Sequence, residues 1–195
     1  MTRRKPETKV DLPVDKEKWH PSLLAGPIVL ISTRSNLGDP HAASKSWLTM
    51  VCSRPPMLAF CCKLSHRTAI NVLETREWVM NIPGEELAPR VWAAGDSVSA
   101  AAAEGSEVGG WTWTQSSVIS APRIQECRAH IECVLDSTKR FNADEMIFFG
   151  RIVAASIDES LTRGSPEERY HALRSLLYLE GTLFGVIDGV KKLPT

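Results

Sequence analysis

The stretch "HAASKSWLTMVCSRPP", residues 41–56, lies between two strongly apolar segments of the chain. The segment before it, "GPIVLIST" (26–33), and the segment after it, "MLAFCCKL" (57–64), both have the composition of buried strands. The stretch itself gathers small and hydroxylated residues around Trp47 and ends in two prolines. Because polar loops held on a rigid frame are common ligand sites, the pattern predicts a binding loop between buried strands.

The composition is that of an ordinary globular domain. The chain has 195 residues, of which 43% are hydrophobic and 24% charged, and its 23 basic residues equal its 23 acidic residues in number. These values exclude the disordered, collagen-like and disulfide-scaffold classes. A net charge of zero argues against nucleic-acid binding, and the longest apolar-leaning run is far shorter than the ~20 residues of a membrane span. We therefore expect no nucleic-acid partner and no membrane association.

The first residues are polar and charged, without the apolar core of a secretory signal. We therefore expect residues 1–19 to form a flexible tail, residues 20–195 to form a single domain, and the protein to be cytoplasmic. The cysteines are odd in number and form no C-x-x-C pair, which predicts reduced thiols and no metal site. They are Cys52, Cys61, Cys62, Cys127 and Cys133.

Hydrophobic periodicity predicts six strands. They are expected at 27–33, within 42–51, and at 57–63, 77–83, 124–136 and 145–158. The turn cluster at 35–40 predicts a hairpin between the first two. In the fifth strand, alternation places His130 and Glu132 on a solvated face. Because the strands come in groups without strict βαβ alternation, the pattern indicates a mainly β protein with accessory helices, an antiparallel barrel or sandwich.

Two helices are indicated by their starting residues. "SHRTAINVLETR" (65–76) has Ser65 as the expected N-cap, with Ala69, Ile70, Val72 and Leu73 facing inward. "SPEERYHALRSLL" (165–177) begins with a capping box, in which Ser165 is the N-cap and Glu168 follows three residues later. The final apolar segment, 178–189, predicts either another strand or an interface segment.

The helix start at 61–71, "CCKLSHRTAIN", carries the clearest chemical signal. A buried strand ends at Lys63, and the free N–H groups and positive dipole end of the following helix form an anion site. Two cations, two hydroxyls and an imidazole surround it: Lys63, Arg67, Ser65, Thr68 and His66. This set suits a phosphate. The alternative, that Ser65 only caps the helix and the two cations are solvated, stays open from this segment alone.

The segment from Ser46 to Thr49 adds a second element of a binding site. Exposed backbone groups there can hydrogen-bond the edge of a flat heterocycle, and Trp47 can form an aromatic wall. A core position for Trp47 is the alternative. A ligand that combines a flat ring with a phosphate would use this segment and the helix start together.

These segments, in this order, resemble the flavin reductase-like, FMN-binding split-barrel family, which includes the flavoredoxins. The resemblance runs through "PIVLIST", "GDPHAASKSW", "SRPP", "KLSHRTAIN" and "EWVMNIP", and continues through "APRIQECRAHIECVL" and "MIFFGRIVAASIDESL". It covers most of residues 27–161, with weaker agreement at "LLYLEG". It implies a six-stranded antiparallel Greek-key split barrel that acts as a homodimer, with flavin near the subunit interface.

The resemblance also implies which residues bind the cofactor. The isoalloxazine ring would be lined by Ser46, Trp47, Leu48 and Thr49, with Cys61 and Cys62 beside it. The phosphate would be bound by Lys63, Ser65, Arg67 and Thr68, with His66 flanking the pocket and Asn81 bordering it. No catalytic residue of the protein's own is expected, because the flavin carries the chemistry. Lys45, His41 and His66 are candidate suppliers of positive charge near the ring.

The implied function is an NAD(P)H-dependent flavin reductase that passes a hydride through the flavin N5. The cofactor would be FMN, with FAD as the alternative, and NAD(P)H would bind transiently as co-substrate. A flavoredoxin-type electron carrier served by a redox partner protein is the second hypothesis, and a split barrel without redox function is the third. Trp111 and Trp113 would either cover the ligand or pack in a dimer.

Overall fold

A computed structural model describes residues 11, 24–94, 98–99, 107–108 and 110–193 of the chain. Its strands are β1 (Gly26–Pro27), β2 (Val29–Arg34), β3 (Pro40–Lys45), β4 (Leu48–Ser53), β5 (Pro56–Lys63), β6 (Glu77–Ile82), β7 (Val98–Ser99), β8 (Glu107–Val108), β9 (Trp111–Thr114), β10 (Arg123–Ile124), β11 (Ala129–Arg140), β12 (Glu145–Ile157), β13 (Leu176–Glu180) and β14 (Leu183–Val186). Its α-helices are α1 (Arg67–Thr75), α2 (Ala88–Ala93) and α3 (Pro166–Leu173), with 3-10 turns at Glu85–Leu87 and Glu159–Thr162. The mainly β class with few helices is confirmed.

Two sequence-based expectations, the N-terminal tail and the absence of a membrane span, meet the described residues differently. The tail predicted at 1–19 lies outside the described residues, apart from residue 11. None of the helices in the described part is long and apolar enough to cross a membrane.

A large antiparallel sheet dominates the fold, with the strand order β4-β5-β12-β11-β6-β2-β3-β7. The predicted hairpin is confirmed, because β2 pairs with β3 from Val29 opposite Lys45 to Arg34 opposite Pro40. Two smaller sheets, β1-β13-β14 and β10-β9-β8, complete the described strands. The C-terminal apolar segment therefore forms strands, the first of the two structures predicted for it.

The segment 42–51, predicted to include the second strand, contains parts of two strands, because β3 ends at Lys45 and β4 begins at Leu48 after Ser46 and Trp47. The cause is a change of partner: Lys45 pairs with Val29 of β2, whereas Leu48 pairs with Phe60 of β5. These partners lie toward opposite ends of the sheet, yet a two-residue link spans at most about 11 Å. The sheet must therefore curl until β3 and β4 meet, which makes it a barrel with a seam at Ser46 and Trp47.

The two larger hydrophobic clusters contain most of the buried side chains of the barrel. The first contains Phe60, which stacks on Phe148 with ring centroids 5.1 Å apart and meets Trp78 edge-on at 5.3 Å. Gly150 lies under the Trp78 ring, where a Cβ would come within 2.0 Å of the indole. The second cluster buries Trp111 and Trp113. These two tryptophans therefore pack in the core of the protomer rather than covering a ligand or meeting a second subunit.

Strand β11 differs from its predicted half-solvated pattern. Glu132 is fully buried, because the chain after β9 folds over this face and Ser117 and Val118 donate their N–H groups to the carboxylate. Arg123 pairs with the same carboxylate. Burial acts to raise the pKa of Glu132, but these donors together hold it below its usual range. The predicted solvated face of this strand is therefore wrong.

Helix α1 begins one residue later than predicted. Its N-cap is His66, not Ser65, and Leu73 is 45% exposed instead of facing inward. Thr68 and Asn71 are buried alongside Ala69 and Val72. The capping box predicted for α3 is confirmed, with Ser165 and Glu168 bonded reciprocally.

Candidate functional site

The seam of the barrel carries the residues predicted to line a flat ring. Trp47 is 53% exposed, so its alternative as a core residue is wrong. Its carbonyl accepts the Cys61 N–H at 2.9 Å, which fixes the seam against β5. Leu48 packs against the first hydrophobic cluster, whereas Thr49 is exposed. The seam therefore presents an aromatic side chain and backbone to solvent beside a well-packed strand.

The cysteine pair at the end of β5 divides between two environments. Cys61 is half-buried, and Cys62 is buried with its Sγ 3.7 Å from the Nδ1 of His66. Burial raises the pKa of both thiols, and the ammonium of Lys45 opposes this rise at Cys62. Both thiols are therefore held neutral, which suits lining residues and not nucleophiles.

The start of α1 combines free helix N–H groups with basic and hydroxyl side chains. Among the described residues no side chain caps it, and its first turn contains no acidic residue. Ser65, His66 and Arg67 are exposed around it, and Lys63 forms an ion pair with Asp144 at 3.5 Å. Thr68 is fully buried, yet its Oγ1 has no hydrogen-bond partner in the described part of the chain. The structure thus brings together the five predicted anion-binding residues.

Two further basic residues belong to this cluster. His41 is 2% exposed, and neither of its ring nitrogens has a hydrogen-bond partner among the described residues. Burial lowers the pKa of His41 to about 4, helped by the charges of Lys45, Arg67 and His66. His41 and Lys45 lie four residues apart on β3, so strand alternation alone could have placed them on one face.

A polar pocket of about 230 Å³ lies between α1 and the β2–β3 hairpin. It is lined by Ser35, Asn36, Leu37, Asp39, Pro40, His41, Arg67, Asn71 and Glu74. The Oδ1 of Asn71 is buried without a partner in the described residues, like the ring of His41. The basic cluster therefore adjoins a pocket whose lining includes polar atoms without a hydrogen-bond partner in the described residues.

Asn81 is the predicted site residue that the structure does not bring to this cluster. It is fully buried, and its amide donates to the Leu30 carbonyl at 3.1 Å and to the Ser32 hydroxyl at 2.8 Å. Its Oδ1 accepts the Ile124 N–H at 2.9 Å and lies 3.0 Å from the Nδ1 of His130. Asn81 therefore braces β2, β6, β10 and β11, and His130 is a partner in this brace instead of a solvated residue.

A larger cavity of about 700 Å³ opens on the other side of the β3 end. Its lining is mostly apolar and comes from β3, α2 and the β13–β14 hairpin: Ile28, Ser44, Lys45, Ser46, Ala88, Pro89, Val91, Trp92, Leu176, Tyr178, Thr182 and Phe184. Ser46 and Lys45 connect it to the seam and to the basic cluster. No local pattern in the sequence could reveal it, because its walls come from segments far apart in the chain.

Known proteins share both the sequence pattern and the fold of this chain. The model of the flavin reductase like domain matches residues 22–186. The structure is similar to the 2-nitrobenzoate 2-nitroreductase of Pseudomonas fluorescens, with 25% identity, a TM-score of 0.74 and coverage of 87% of this chain and 84% of that chain. It is also similar to a flavoredoxin of Methanosarcina acetivorans, with 18% identity, a TM-score of 0.78 and coverage of 96% and 95%.

A split-barrel protein of Shewanella frigidimarina is similar at 16% identity, with a TM-score of 0.74 and coverage of 88% and 86%. The likeness agrees with the closure of the sheet at the Ser46–Trp47 seam and confirms the split-barrel fold. The family model spans most of the chain, including the seam, the start of α1 and the hairpin β13–β14. The chain belongs to the flavin reductase like domain family.

Proposed function

We propose that this protein is an FMN-binding oxidoreductase that takes reducing equivalents from NAD(P)H, an NAD(P)H:flavin oxidoreductase. The observation that carries the proposal is the uncapped start of α1, where the unpartnered Oγ1 of Thr68 lies among basic residues. A buried hydroxyl without a partner is uncommon in folded proteins and indicates a missing ligand atom. A phosphate would supply acceptors for this hydroxyl and for the free N–H groups of the helix.

The residues present fit the phosphate of FMN. Arg67 and Lys63 supply two charges at the exposed side of the helix start, and His66 and Ser65 supply further donors. Lys63 already contacts Asp144, with both side chains about half exposed, so this weak pair can open toward a dianion. On the buried side of the cluster, Lys45 adds an ammonium group and His41 adds a neutral imidazole. We therefore assign the phosphate to Lys63, Ser65, Arg67 and Thr68.

The seam would hold the ring of the flavin. Backbone groups from Ser46 to Thr49 and the half-exposed indole of Trp47 lie next to β5, where the half-buried Cys61 carries a neutral thiol and Cys62 packs in the first hydrophobic cluster behind it. A bound flavin would supply the hydride-transfer chemistry that this chain's side chains lack. The chain's own part is to bind the phosphate, orient the ring and keep thiolates away from it. FAD is the alternative cofactor at the same phosphate site.

NAD(P)H is assigned as a transient co-substrate. The sequence has no G-x-G-x-x-G fingerprint, so a nicotinamide would have to stack on the exposed side of the ring instead of occupying a dinucleotide-binding domain. This assignment makes the protein a reductase. A protein that binds FMN but ignores NAD(P)H would instead be an electron carrier served by a redox partner protein.

A homodimer is proposed to complete the site. β4 is the first strand of the large sheet and exposes Met50 and Val51, and Trp47 is exposed in the seam just before it. Three large apolar side chains on and next to an edge strand form the kind of surface that a second copy of the chain buries. The flavin ring at the seam would then lie next to the subunit interface.

Absorbance spectroscopy tests the proposal. The purified protein is mixed with FMN, desalted, and treated anaerobically with NADH and with NADPH. A retained flavin spectrum that bleaches supports the reductase, and a retained spectrum that does not bleach supports the electron carrier. Loss of the flavin on desalting, combined with NAD(P)H oxidation in the presence of free FMN, makes FMN a shuttled substrate. Loss of the flavin without such turnover would overturn the proposal.

A further inference from the structure

The cavity of about 700 Å³ beside the end of β3 has the size and lining of a small-molecule site. Aromatic side chains enter it from two separate elements, Trp92 from α2 and Tyr178 and Phe184 from the β13–β14 hairpin. Trp92 and Phe184 are each nearly half exposed. Large aromatic surfaces at the mouth of an apolar cavity favour a flat aromatic occupant, because ring stacking stabilises it beyond the burial of area alone.

Lys45 gives the cavity its charge preference. Of the described residues that line the cavity, it is the only one with a charged side chain. Its Nζ donates to the Ser44 carbonyl at 3.2 Å, and no carboxylate in the described part of the chain pairs with it. Burial lowers its pKa, as expected for an ammonium without a counter-ion. An anionic group on the occupant would supply that counter-ion.

We infer that this cavity binds a planar aromatic carboxylate, with its ring between Trp92 and Phe184 and its carboxylate toward Lys45. The hydroxyls of Ser44, Ser46 and Thr182 line the same space and provide further hydrogen-bond partners. Because Ser46 also belongs to the seam, an occupant of the cavity lies beside the flavin ring. The inference thereby names the substrate class of the proposed oxidoreductase, and to that extent rests on the proposed function.

The charge assignment is tested by a pair of probes and a pair of variants. Isothermal titration calorimetry is run with 2-naphthoate and with its neutral isostere 2-naphthamide, on wild type, Lys45→Met and the control Lys139→Met. Lys139 is an exposed residue of β11 and does not line the cavity. Lys45→Met is expected to weaken 2-naphthoate about ten-fold or more and to weaken 2-naphthamide much less, since the ion pair between ammonium and carboxylate is lost only for the acid. Lys139→Met is expected to change neither.

The ring assignment is tested by Trp92→Leu and Phe184→Leu, which remove aromatic surface without touching the charge. Both variants are expected to weaken both probes, and two variants keep the test available if one of them fails to fold. Equal loss of both probes in Lys45→Met, or no binding of 2-naphthoate to wild type, overturns the inference.

The same titrations are repeated with FMN present. Unchanged 2-naphthoate binding supports a cavity separate from the ring, whereas competition by FMN would show that the cavity is the place of the ring itself and would overturn the inference. Failure of FMN to bind at all defeats the proposed function, but leaves the cavity to be judged by 2-naphthoate binding to the flavin-free protein.

Discussion

Two groups of buried polar side chains, on either side of the strand β2, differ in how their hydrogen bonds are met. Around Asn81, both amide atoms are used, and partners come from β2, β10 and β11. Around α1, the Oγ1 of Thr68, the Oδ1 of Asn71 and both ring nitrogens of His41 have no partner among the described residues. The two groups are similarly buried, but only the polar atoms around Asn81 have hydrogen-bond partners in the chain.

Under the proposed function, the difference separates structural polar residues from ligand-binding ones. A buried polar group whose partners are all in the chain fixes strand geometry, because losing one partner leaves the remaining buried groups without a hydrogen bond. A buried polar group without partners costs stability unless a ligand completes it. Substitutions near Asn81 should therefore change stability, and substitutions near Thr68 should change ligand binding.

The largest expected effect is on flavin binding. In Lys63→Ala combined with Arg67→Ala, FMN affinity is expected to fall by about 3–6 kcal/mol, at about 1.5–3 kcal/mol for each lost hydrogen bond to a charged group. Fluorescence titration of FMN measures it. The control Lys139→Ala with Arg163→Ala changes the net charge equally, away from α1, and is expected to leave affinity unchanged. Unaltered affinity in the first double variant would place the phosphate elsewhere.

The largest effect on the structural side is expected at Glu132, which lies next to the Asn81 brace on β11. Glu132→Ala removes a fully buried carboxylate and leaves Arg123 and the N–H groups of Ser117 and Val118 without the acceptor that they share. The free energy of unfolding is expected to fall by about 3–5 kcal/mol, the usual result of breaking a buried ion pair. Urea denaturation measures this loss.

The matched control for Glu132 is Glu159→Ala. Glu159 pairs with Arg163 on the surface, and both side chains are mostly exposed. Its removal is expected to cost less than about 1 kcal/mol. Similar losses in the two variants would mean that the loop over β11 does not depend on the buried carboxylate.

Much of this fold follows from the sequence, because strand alternation, turn clusters and the capping box of α3 are local signals. The break at Ser46 and Trp47 does not follow, because it results from a change of partner strand and not from a local preference. The burial of Glu132 was missed for the same reason: the covering loop is remote in sequence. Of the anion-binding cluster, the helix-start residues carry a local signal, whereas His41 and Lys45 join it only through the packing of β3 on α1.

A smaller effect, with opposite signs on binding and stability, is expected at Thr68. Thr68→Val keeps the shape of the side chain but removes the unpartnered Oγ1. FMN binding is expected to weaken by about 1.5–3 kcal/mol if that oxygen donates to the phosphate, while the stability of the flavin-free protein stays the same or rises. Fluorescence titration and thermal unfolding measure the two quantities.

Thr75 on the same helix provides the contrast for Thr68. Its Oγ1 already donates to the Asn71 carbonyl at 2.9 Å, so Thr75→Val removes a satisfied hydrogen bond. It should leave FMN affinity unaltered. Weaker FMN binding in Thr75→Val to the same extent as in Thr68→Val would indicate a general disturbance of α1 and remove the support for a specific contact.

The smallest effect concerns the pH dependence of stability in the flavin-free protein. The pKa of His41 is about 4 in the folded chain against 6.5 ordinarily, because burial and the charges of Lys45, Arg67 and His66 disfavour the imidazolium. Between these values the unfolded chain binds more protons, so the contribution of His41 to the free energy of unfolding is fully present above pH 6.5 and is lost as the pH falls toward 4.

In His41→Gln the loss of unfolding free energy between pH 7 and pH 5 is therefore expected to be smaller than in wild type. His130 has a pKa lowered to the same value and keeps part of the slope. A slope equal to that of wild type would show that His41 is protonated as easily in the folded chain as in the unfolded one, and that the space around it is open to water instead of shaped for a ligand.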